Sequence, residues 1–167
     1  YRADIYPTYK SNRIKKEYIS AQELIIRKMI ELLGIASYEK CGYEADDIIG
    51  SAVEQYRGVF DVVILTGDKD LLQLVQPGVE VYDSMKNTYY SDKDVAKKFG
   101  VRPDQIADYL ALAGDKVDSI PGVQGIGPVA AKKLLETWNS VEDIYKNVNH
   151  IEKKWRKKLE DGEELAK

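Results

Sequence analysis

The chain has 167 residues, of which 44% are hydrophobic and 32% are charged, and its formal net charge is −3. This length and composition predict one soluble domain, or one domain with a small appendage, that buries a sizeable core. Neither a membrane-spanning apolar run nor a signal peptide is predicted. The single cysteine, Cys41, and the single histidine, His150, exclude an intrachain disulfide and a Cys/His zinc site, and argue against a Cys–His nucleophile pair. We therefore expect a reducing, cytoplasmic location.

Between residues 20 and 113, strands and helices alternate, which predicts an α/β fold with parallel strands. Ser20 and Glu23 form a capping box at the start of the first helix, and Gly34 ends that helix. The run DVVILT, residues 61–66, is rich in β-branched residues and predicts a buried strand. Ser91 and Asp94 are predicted to cap a later helix that ends at Phe99. The predicted elements are a helix over 20–33, a short strand over 35–38, a helix over 44–57, the strand over 61–66, a short helical piece to Val75, two strands around 79–91, the helix from Ser91 to Phe99 and a helix from Pro103 to Ala113.

From Gly114 onward the sequence predicts helices and no strand. Three glycines interrupt a loop there, and Pro128 is well placed as the first residue of the next helix. The predicted helices of this part run from Pro128 to about Thr137, from a cap at Ser140, and over about 151–160.

Acidic residues cluster at three points, each at the end of a predicted element. GYEADD places Glu44 and Asp47 on one face of a first helical turn, where the helix dipole favours negative charge. LTGDKD follows the predicted buried strand, at the edge where open parallel sheets bind ligands. AGDKVDSIPG contains a third pair. Taken singly, these stretches have structural explanations, namely an acidic helix start, a charged turn and a helix-end cap. The acids of the first, second and third groups are Glu44, Asp46 and Asp47, then Asp68 and Asp70, then Asp115 and Asp118.

If the three acidic groups converge, cations must offset their mutual repulsion. Carboxylate oxygens without histidine or thiol ligands indicate Mg²⁺ or Mn²⁺. Seven carboxylates are too many for one Mg²⁺ and suit two ions about 4 Å apart, the arrangement that serves phosphoryl transfer. The sequence therefore predicts nuclease or phosphatase chemistry rather than sugar or peptide hydrolysis.

Both flanks of the chain are basic around an acidic middle. Residues 1–16 carry five basic residues against one acid, and residues 129–158 carry eight against four. Solvated helix faces are the simple explanation of either flank. In the first flank, YPTYKSNR interleaves tyrosines with Lys10 and Arg13, so aromatic rings can stack on bases and cations can bind phosphate. A disordered basic arm is the alternative for this stretch.

The stretch GVQGIGPVAAKKLLE, residues 122–136, is the most specific in the chain. Glycines let the backbone approach a phosphate closely, and the amides ahead of the Pro128 helix form an anion site that Lys132 and Lys133 follow. A helix–glycine loop–helix of this kind holds duplex DNA by its backbone without reading bases. A plain helical hairpin is the alternative. We call residues 122–133 the glycine hairpin.

The order YPTYKSNR, GYEADD, TGDKD, RPDQIADYLAL and GDKVDSIPGVQGIG strongly resembles the 5′-nuclease domain of bacterial DNA polymerase I and related flap endonucleases. The resemblance covers essentially the whole chain. It implies a PIN-like α/β parallel-sheet core, a helical arch and an all-helical helix–three-turn–helix DNA-binding subdomain. We assign residues 1–113 to the core, with the basic arch segment near 1–20, and residues 114–167 to the helical subdomain.

Through this resemblance, residues of the chain acquire expected roles. The first acidic group matches acids around one metal ion, the second matches a pair on the central sheet edge, and the third matches acids near a second metal ion. Lys10 and Arg13 match a catalytic basic pair that contacts the phosphate near the cut, and the glycine hairpin matches an element that can hold K⁺ through backbone carbonyls. The expected DNA-binding residues are Arg2, Tyr9, Lys10, Arg13, Gly122, Gly125, Gly127, Lys132 and Lys133.

The chain departs from the family pattern at its start. Family members begin with a central strand that carries an aspartate, and a second aspartate lies a few residues ahead of the stretch that begins here at Tyr1. We therefore expect an N-terminally incomplete piece of a longer protein, in which metal binding persists and catalysis is impaired.

The predicted activity is metal-dependent hydrolysis of DNA phosphodiesters at 5′ ends and 5′ flaps, in replication and repair. The expected cofactors are two Mg²⁺ or Mn²⁺ ions and K⁺ at the hairpin, and the expected partners are junction DNA and a DNA polymerase module, with no membrane. One alternative is a non-catalytic DNA-binding module, and another is a phosphatase of small phosphate esters, whose chemistry the DxD of GDKD also suits.

Overall fold

The structure, a computed structural model, describes residues 2–5, 9–10 and 17–162 of the chain. Among these residues, no helix has the length and apolar character that crossing a membrane requires. The helices are α1 (Arg2–Ile5), α2 (Glu17–Leu32), α3 (Ala45–Tyr56), α4 (Asp92–Phe99), α5 (Ile106–Ala113), α6 (Pro128–Thr137), α7 (Val141–Lys146) and α8 (Lys153–Asp161). The strands are β1 (Val62–Leu65), β2 (Val79–Asp83) and β3 (Thr88–Tyr90), and 3₁₀ turns cover Asp70–Leu74, Pro103–Gln105 and Val148–His150.

The described strands form a three-stranded sheet in the order β1-β2-β3. β1 and β2 run parallel, with Val62 opposite Val79, and the 3₁₀ turn lies in the connection between them. β2 and β3 form an antiparallel hairpin, with Val81 opposite Tyr90. The sheet is therefore mixed, because the short turn between the last two strands permits only an antiparallel return.

The start of α2 and the residues after it differ from the prediction. The helix begins at Glu17, so Ser20 lies inside it and is not its cap. Gly34, at φ +67°, ends the helix as predicted, because glycine adopts the left-handed conformation without strain. Residues 35–38 form no strand, since they have no ladder partner among the described residues.

The predicted burial of strand 61–66 is also wrong in part. Ile64 is buried, whereas Val63 and Leu65, which point to the opposite face, are 53% and 68% exposed. β1 pairs only with β2 among the described residues, and that face of the sheet is not covered by them. An apolar run thus predicts a strand correctly but does not decide which of its faces is packed.

Local start signals held at three later helices. Ser91 and Asp94 form the capping box of α4, Pro128 is the first residue of α6, and the Ser140 hydroxyl accepts a hydrogen bond from the Asp143 amide at the start of α7. Such signals depend only on neighbouring residues, which is why the sequence reveals them.

One apolar core continues from the α/β part into the helical part. It joins Ile64 and Val81 of the sheet to Leu112 of α5 and to Leu134 and Ile144 of the later helices. Buried Gln105 strengthens this junction, because its side-chain amide donates hydrogen bonds to the carbonyls of Leu135 (2.9 Å) and Asn139 (3.1 Å). A boundary between residues 113 and 114 stays a prediction.

Candidate functional site

The three acidic groups lie together in the structure. The first is at the N-terminus of α3, the second follows β1, and the third is in the loop after α5. Two lysines connect them: Lys10 Nζ lies 2.7 Å from Glu44 Oε2 and 3.9 Å from Asp118 Oδ2, and Lys69 Nζ lies 2.7 Å from Asp115 Oδ2. Residues far apart in the sequence therefore form one acidic site, as the predicted convergence requires.

Helix capping builds the first acidic group. Glu44 is the N-cap of α3, and its backbone amide donates to Asp47 Oδ2 at 2.9 Å. The Arg2 guanidinium binds both oxygens of the Asp47 carboxylate at 2.7 Å, a bidentate pair. The hydrogen bonds from Arg2 and from the Glu44 amide lower the pKa of Asp47 to about 2. In this arrangement the Asp47 carboxylate therefore binds Arg2 and caps the start of α3.

Glu44 and Asp115 also have cationic partners. Burial acts to raise the pKa of Glu44, but the hydrogen bond and the charge of Lys10 outweigh it, so this pKa lies below its ordinary value. The same opposition holds at Asp115. Burial acts to raise its pKa, but the hydrogen bonds from the Lys69 ammonium and the Val117 amide outweigh burial, so the pKa lies below its ordinary value. Both carboxylates are consequently ionised and held in place.

Two of the remaining acids, Asp46 and Asp70, are raised in pKa by their surroundings. Burial and then the charge of Asp68 raise the pKa of Asp46. Burial, Asp68 and the third acidic group raise the pKa of Asp70, and its buried Oδ1 atom has no hydrogen-bond partner among the described residues. Asp68 itself is exposed, and one of its oxygens accepts the Asp70 amide at 2.9 Å. These three carboxylates form the least compensated part of the site.

The donor chemistry at this point suits a hard cation, since ionised carboxylates crowd together and one buried oxygen lacks a partner. As the side chains stand, however, no three acidic, histidine or cysteine residues of the described ranges are gathered closely enough to hold a metal ion. The cations of Arg2, Lys10 and Lys69 occupy three of the carboxylates instead. The metal-ligand roles therefore stay predictions.

The predicted phosphate-binding residues of the first flank lie only partly within the described residues. Lys10, at φ +53°, donates its backbone amide to the Asp118 carbonyl, and its side chain binds Glu44. The Tyr9 hydroxyl donates to the same Glu44 carboxylate at 3.2 Å. Arg13 and half of the predicted arch segment lie outside the described residues. Lys10, Tyr9 and Arg2 thus meet the acidic site, and their contacts with DNA stay predictions.

The glycine hairpin is held by backbone packing at its base. A Cβ atom added to Gly122, at φ +65°, would lie 2.3 Å from the Gly114 amide nitrogen, so only glycine fits there. Val123 and Ile126 are buried and anchor the loop. Gly127, the N-cap of α6, faces open space instead, with no atom within 4 Å of an added Cβ. The close contact between backbones at Gly122 therefore serves folding. At Gly127, by contrast, the loop backbone is open.

Two lysines pack against glycines in this region. The Lys132 stem lies against Gly100, and a Cβ added to Gly125 would lie 3.0 Å from the Lys158 stem. The Lys158 Nζ atom donates to the Gly125 carbonyl at 3.0 Å. Lys133 is exposed on α6. An ammonium group thus already occupies one hairpin carbonyl, which a K⁺ ion bound there would have to share.

Sequence reasoning overlooked Lys69 and Lys158. Lys69 stands between Asp68 and Asp70, and a lysine flanked by two aspartates is a usable signal that a cation is needed there. For Lys158 we find no such signal, because its contact with Gly125 joins residues separated by 33 positions.

The fold and the site together define a resolvase-like, PIN-like α/β domain followed by a helical SAM fold. The family model for the 5′-3′ exonuclease N-terminal resolvase-like domain matches residues 1–100, and the model for the 5′-3′ exonuclease C-terminal SAM fold matches residues 101–167. The chain belongs to the 5′-3′ exonuclease family.

Curated relatives agree with this membership. A 5′-3′ exonuclease from Aquifex aeolicus is 43% identical over 97% of the chain, which spans 57% of that relative. DNA polymerase I from Caldicellulosiruptor bescii is 41% identical, and the match covers 99% of the chain and 20% of the polymerase. Flap endonuclease Xni from Serratia proteamaculans is 36% identical, and the match covers 99% of the chain and 67% of that endonuclease. The chain thus corresponds to part of each of these proteins.

Solved structures share the fold. The D15 protein of bacteriophage T5, co-crystallised with metal ions, has a TM-score of 0.85 and 24% identity, with 99% of the chain and 66% of that protein covered. The catalytic core of Rad2 in complex with DNA substrate has a TM-score of 0.54 and 22% identity, with 91% and 51% covered. Both similarities concern the fold.

Proposed function

We propose that the protein is a structure-specific 5′ nuclease that hydrolyses DNA phosphodiesters at 5′ ends and 5′ flaps. The observation that carries the proposal is the meeting of three acidic groups at one end of the α/β part of a chain that belongs to the 5′-3′ exonuclease family. Relatives named 5′-3′ exonuclease and flap endonuclease support the same activity. A relative named DNA polymerase I, of which the chain matches 20%, supports a polymerase module as a partner in the same or another chain. We also propose a cytoplasmic location, because the single cysteine fits a reducing compartment.

The cofactors we propose are two Mg²⁺ or Mn²⁺ ions. Asp46, Asp68 and Asp70 would hold them first, because their carboxylates are the least compensated, and acids now paired with Arg2, Lys10 and Lys69 would complete the sites. Such ions supply Lewis-acid stabilisation of the charge that develops on a phosphoryl group. The related T5 D15 protein, co-crystallised with metal ions, supports this choice of cofactor class.

In this proposal Lys10 acts on the scissile phosphate. Its ammonium group lies between Glu44 and Asp118, where a phosphate that enters the acidic site would meet it. A cation at this place reduces the repulsion between the phosphate and the carboxylates and stabilises charge in the transition state. Arg13 has the same proposed role, and Tyr9 offers a ring beside Lys10 for a base to stack on.

The glycine hairpin would hold the duplex next to the cut. Its open backbone at Gly127, the N-terminus of α6 and the exposed Lys133 present donors and positive charge to phosphates. Gly122, Gly125 and Lys132 shape this surface through their packing. K⁺ bound by hairpin carbonyls belongs to the same proposal, with the Gly125 oxygen shared with or taken from Lys158.

A second candidate function is a non-catalytic module that binds duplex or junction DNA. The observation that favours it is that Arg2, Lys10 and Lys69 pair with three of the carboxylates. If these ion pairs persist with DNA bound, the acids balance charge in the protein and do not bind metal ions.

Cleavage of a labelled 5′-flap duplex by the full-length protein, with Mg²⁺ and with EDTA, tests the proposal. We expect a cut at the junction with Mg²⁺ only. A matched pair of variants assigns the cut to the site: Asp68→Asn should abolish it, and Asp92→Asn, an exposed acid at the start of α4, should not.

The outcomes separate the two functions. Binding of the flap duplex without any Mg²⁺-dependent cut would support the binding module and overturn the nuclease. Cutting that persists unchanged in Asp68→Asn would show that the acidic site is not where the reaction occurs.

A further inference from the structure

Helix α8 carries a density of positive charge that the proposed site does not use. Its sequence KKWRKKLED holds five basic residues against two acids. Trp155 and Leu159 face the interior, and the Arg156 guanidinium donates to the carbonyls of Asn149 and Ile151. The lysines are exposed, so the basic face of α8 points to solvent.

This helix is fastened to the glycine hairpin. The Lys158 Nζ atom donates to the exposed Gly125 carbonyl, and the Lys158 stem covers Gly125. At the end of α8, Gly162 approaches Val123 so closely that an added Cβ would lie 2.8 Å from its side chain. The basic face of α8 therefore starts at the hairpin and continues away from it.

Helix stability explains the placement of Lys158, in the last turn of α8, but not that of the lysines before it. Lys153 and Lys154 lie in the first turn of α8, where the helix dipole disfavours positive charge. Lys154 has Glu152 as a partner, whereas Lys153 and Lys157 have no ion-pair partner among the described residues. These two lysines are four positions apart and repel one another on the same face. Both costs are offset if the face binds an anionic ligand.

We propose that the basic face of α8, formed by Lys153, Lys157 and Lys158, is a second phosphate-binding element for the duplex that the glycine hairpin holds. This proposal rests on the duplex binding in the proposed function and extends its footprint beyond residues 122–133. Lys158 places the helix against the hairpin, and Lys153 and Lys157 contact the sugar–phosphate backbone. Because the contacts are to phosphates, the binding is independent of base sequence.

The salt dependence of duplex binding tests the proposal. We would titrate the full-length protein with a blunt duplex that has no flap, in EDTA, over a series of KCl concentrations. Each phosphate contact contributes about 0.9 to the slope of log K against log salt concentration. For Lys153→Gln/Lys157→Gln we expect a slope smaller by about 1.8 and, at 0.1 M salt, a Kd higher by about tenfold or more.

Two control variants make the result specific. Lys153→Arg/Lys157→Arg keeps both charges and should retain the slope of the unchanged protein. Lys93→Gln removes an exposed lysine from α4 and should leave the slope unchanged. Thermal unfolding should show that the double glutamine variant is folded, since its substitutions relieve a repulsion. A slope equal to that of the unchanged protein in a folded double variant would overturn the proposal.

The experiment is independent of cleavage. If the unchanged protein binds the duplex and never cuts a flap with Mg²⁺, the nuclease proposal fails while the role of α8 is still decided by the slopes. If it cuts the flap and the slopes are equal, the nuclease proposal stands and the role of α8 is overturned.

Discussion

The acidic site and the glycine hairpin are built on opposite physical principles. The acidic site collects seven carboxylates from three parts of the chain, and buried or half-buried charges dominate it. The hairpin is formed by a continuous stretch, with apolar anchors at Val123 and Ile126 and glycines where backbones touch. The acidic site therefore depends on long-range ion pairs, whereas the hairpin depends on local shape.

This difference predicts whether a substitution in each region lowers activity or stability. Charges that repel one another store unfavourable free energy that a functional ligand can offset, so their removal should cost activity and not stability. Close backbone packing has no such reserve, so an added methyl group should cost stability first. The pH should affect the acidic site strongly and the hairpin little, because no acid or histidine lies among residues 122–133.

The largest effect should come from Asp70→Asn in the acidic site. We expect flap cleavage to fall by about 100-fold or more, because Asp70 is a proposed metal ligand and the loss of even a group that orients such a ligand costs about 10- to 100-fold. The thermal midpoint should rise, since burial and neighbouring carboxylates raise the pKa of Asp70 and its neutral amide escapes that repulsion. Cleavage rates and thermal melts measure both.

Asp92→Asn is the matched control for this change, because the Asp92 side chain is exposed, accepts only the neighbouring Lys93 amide among the contacts described, and lies outside the site. A fall in stability on Asp70→Asn, with cleavage retained, would break the distinction between the two regions.

The next effect should come from Gly122→Ala in the hairpin. The added Cβ meets the Gly114 amide nitrogen at 2.3 Å, and the residue must keep φ +65°. We expect a loss of about 2–6 kcal/mol in the free energy of unfolding, from overpacking and from the left-handed backbone. Denaturant unfolding measures it, and Gly127→Ala, which meets open space at φ −92°, should unfold within about 1 kcal/mol of the unchanged protein. Equal effects at both glycines would show that close packing does not hold the hairpin.

The smallest effect should come from Arg2→Met. We expect it to lower the free energy of unfolding by an amount that depends on pH. The Arg2 pair lowers the pKa of Asp47 to about 2, below that of the unfolded chain. This pair therefore contributes stability above about pH 4, and the contribution is lost as the pH falls towards 2. The raised pKa values of Asp46 and Asp70 act in the opposite sense, because their protonation relieves repulsion as the pH falls.

Carboxyl titration by NMR measures this prediction directly. In Arg2→Met the Asp47 midpoint should move up from about 2 towards its ordinary value of about 3.9, and the stability gained between pH 2 and pH 5 should shrink. An unchanged Asp47 midpoint would show that the helix N-terminus, and not Arg2, holds that carboxylate ionised.

Much of the fold was predictable because its signals are local. The capping box at Ser91 and Asp94, the first-turn proline at Pro128 and the cap at Ser140 each need only neighbouring residues, and they are where the sequence indicates. The errors occur where residues outside the local stretch decide the structure, such as a preceding helical turn or a pairing strand. Ser20 is no cap because α2 extends back to Glu17, and residues 35–38 form no strand because no described strand pairs with them.

The sequence by itself determined most of the element types, the three acidic groups, the glycine hairpin and the family resemblance, since all of these are read from short stretches and their order. Only the tertiary structure decided which cation meets which carboxylate: Arg2 with Asp47, Lys10 with Glu44, Lys69 with Asp115. Only the tertiary structure shows that Lys158 binds the Gly125 carbonyl and that one face of β1 is exposed. Ion pairs and packing between distant residues depend on how the chain closes on itself, and no local pattern records that closure.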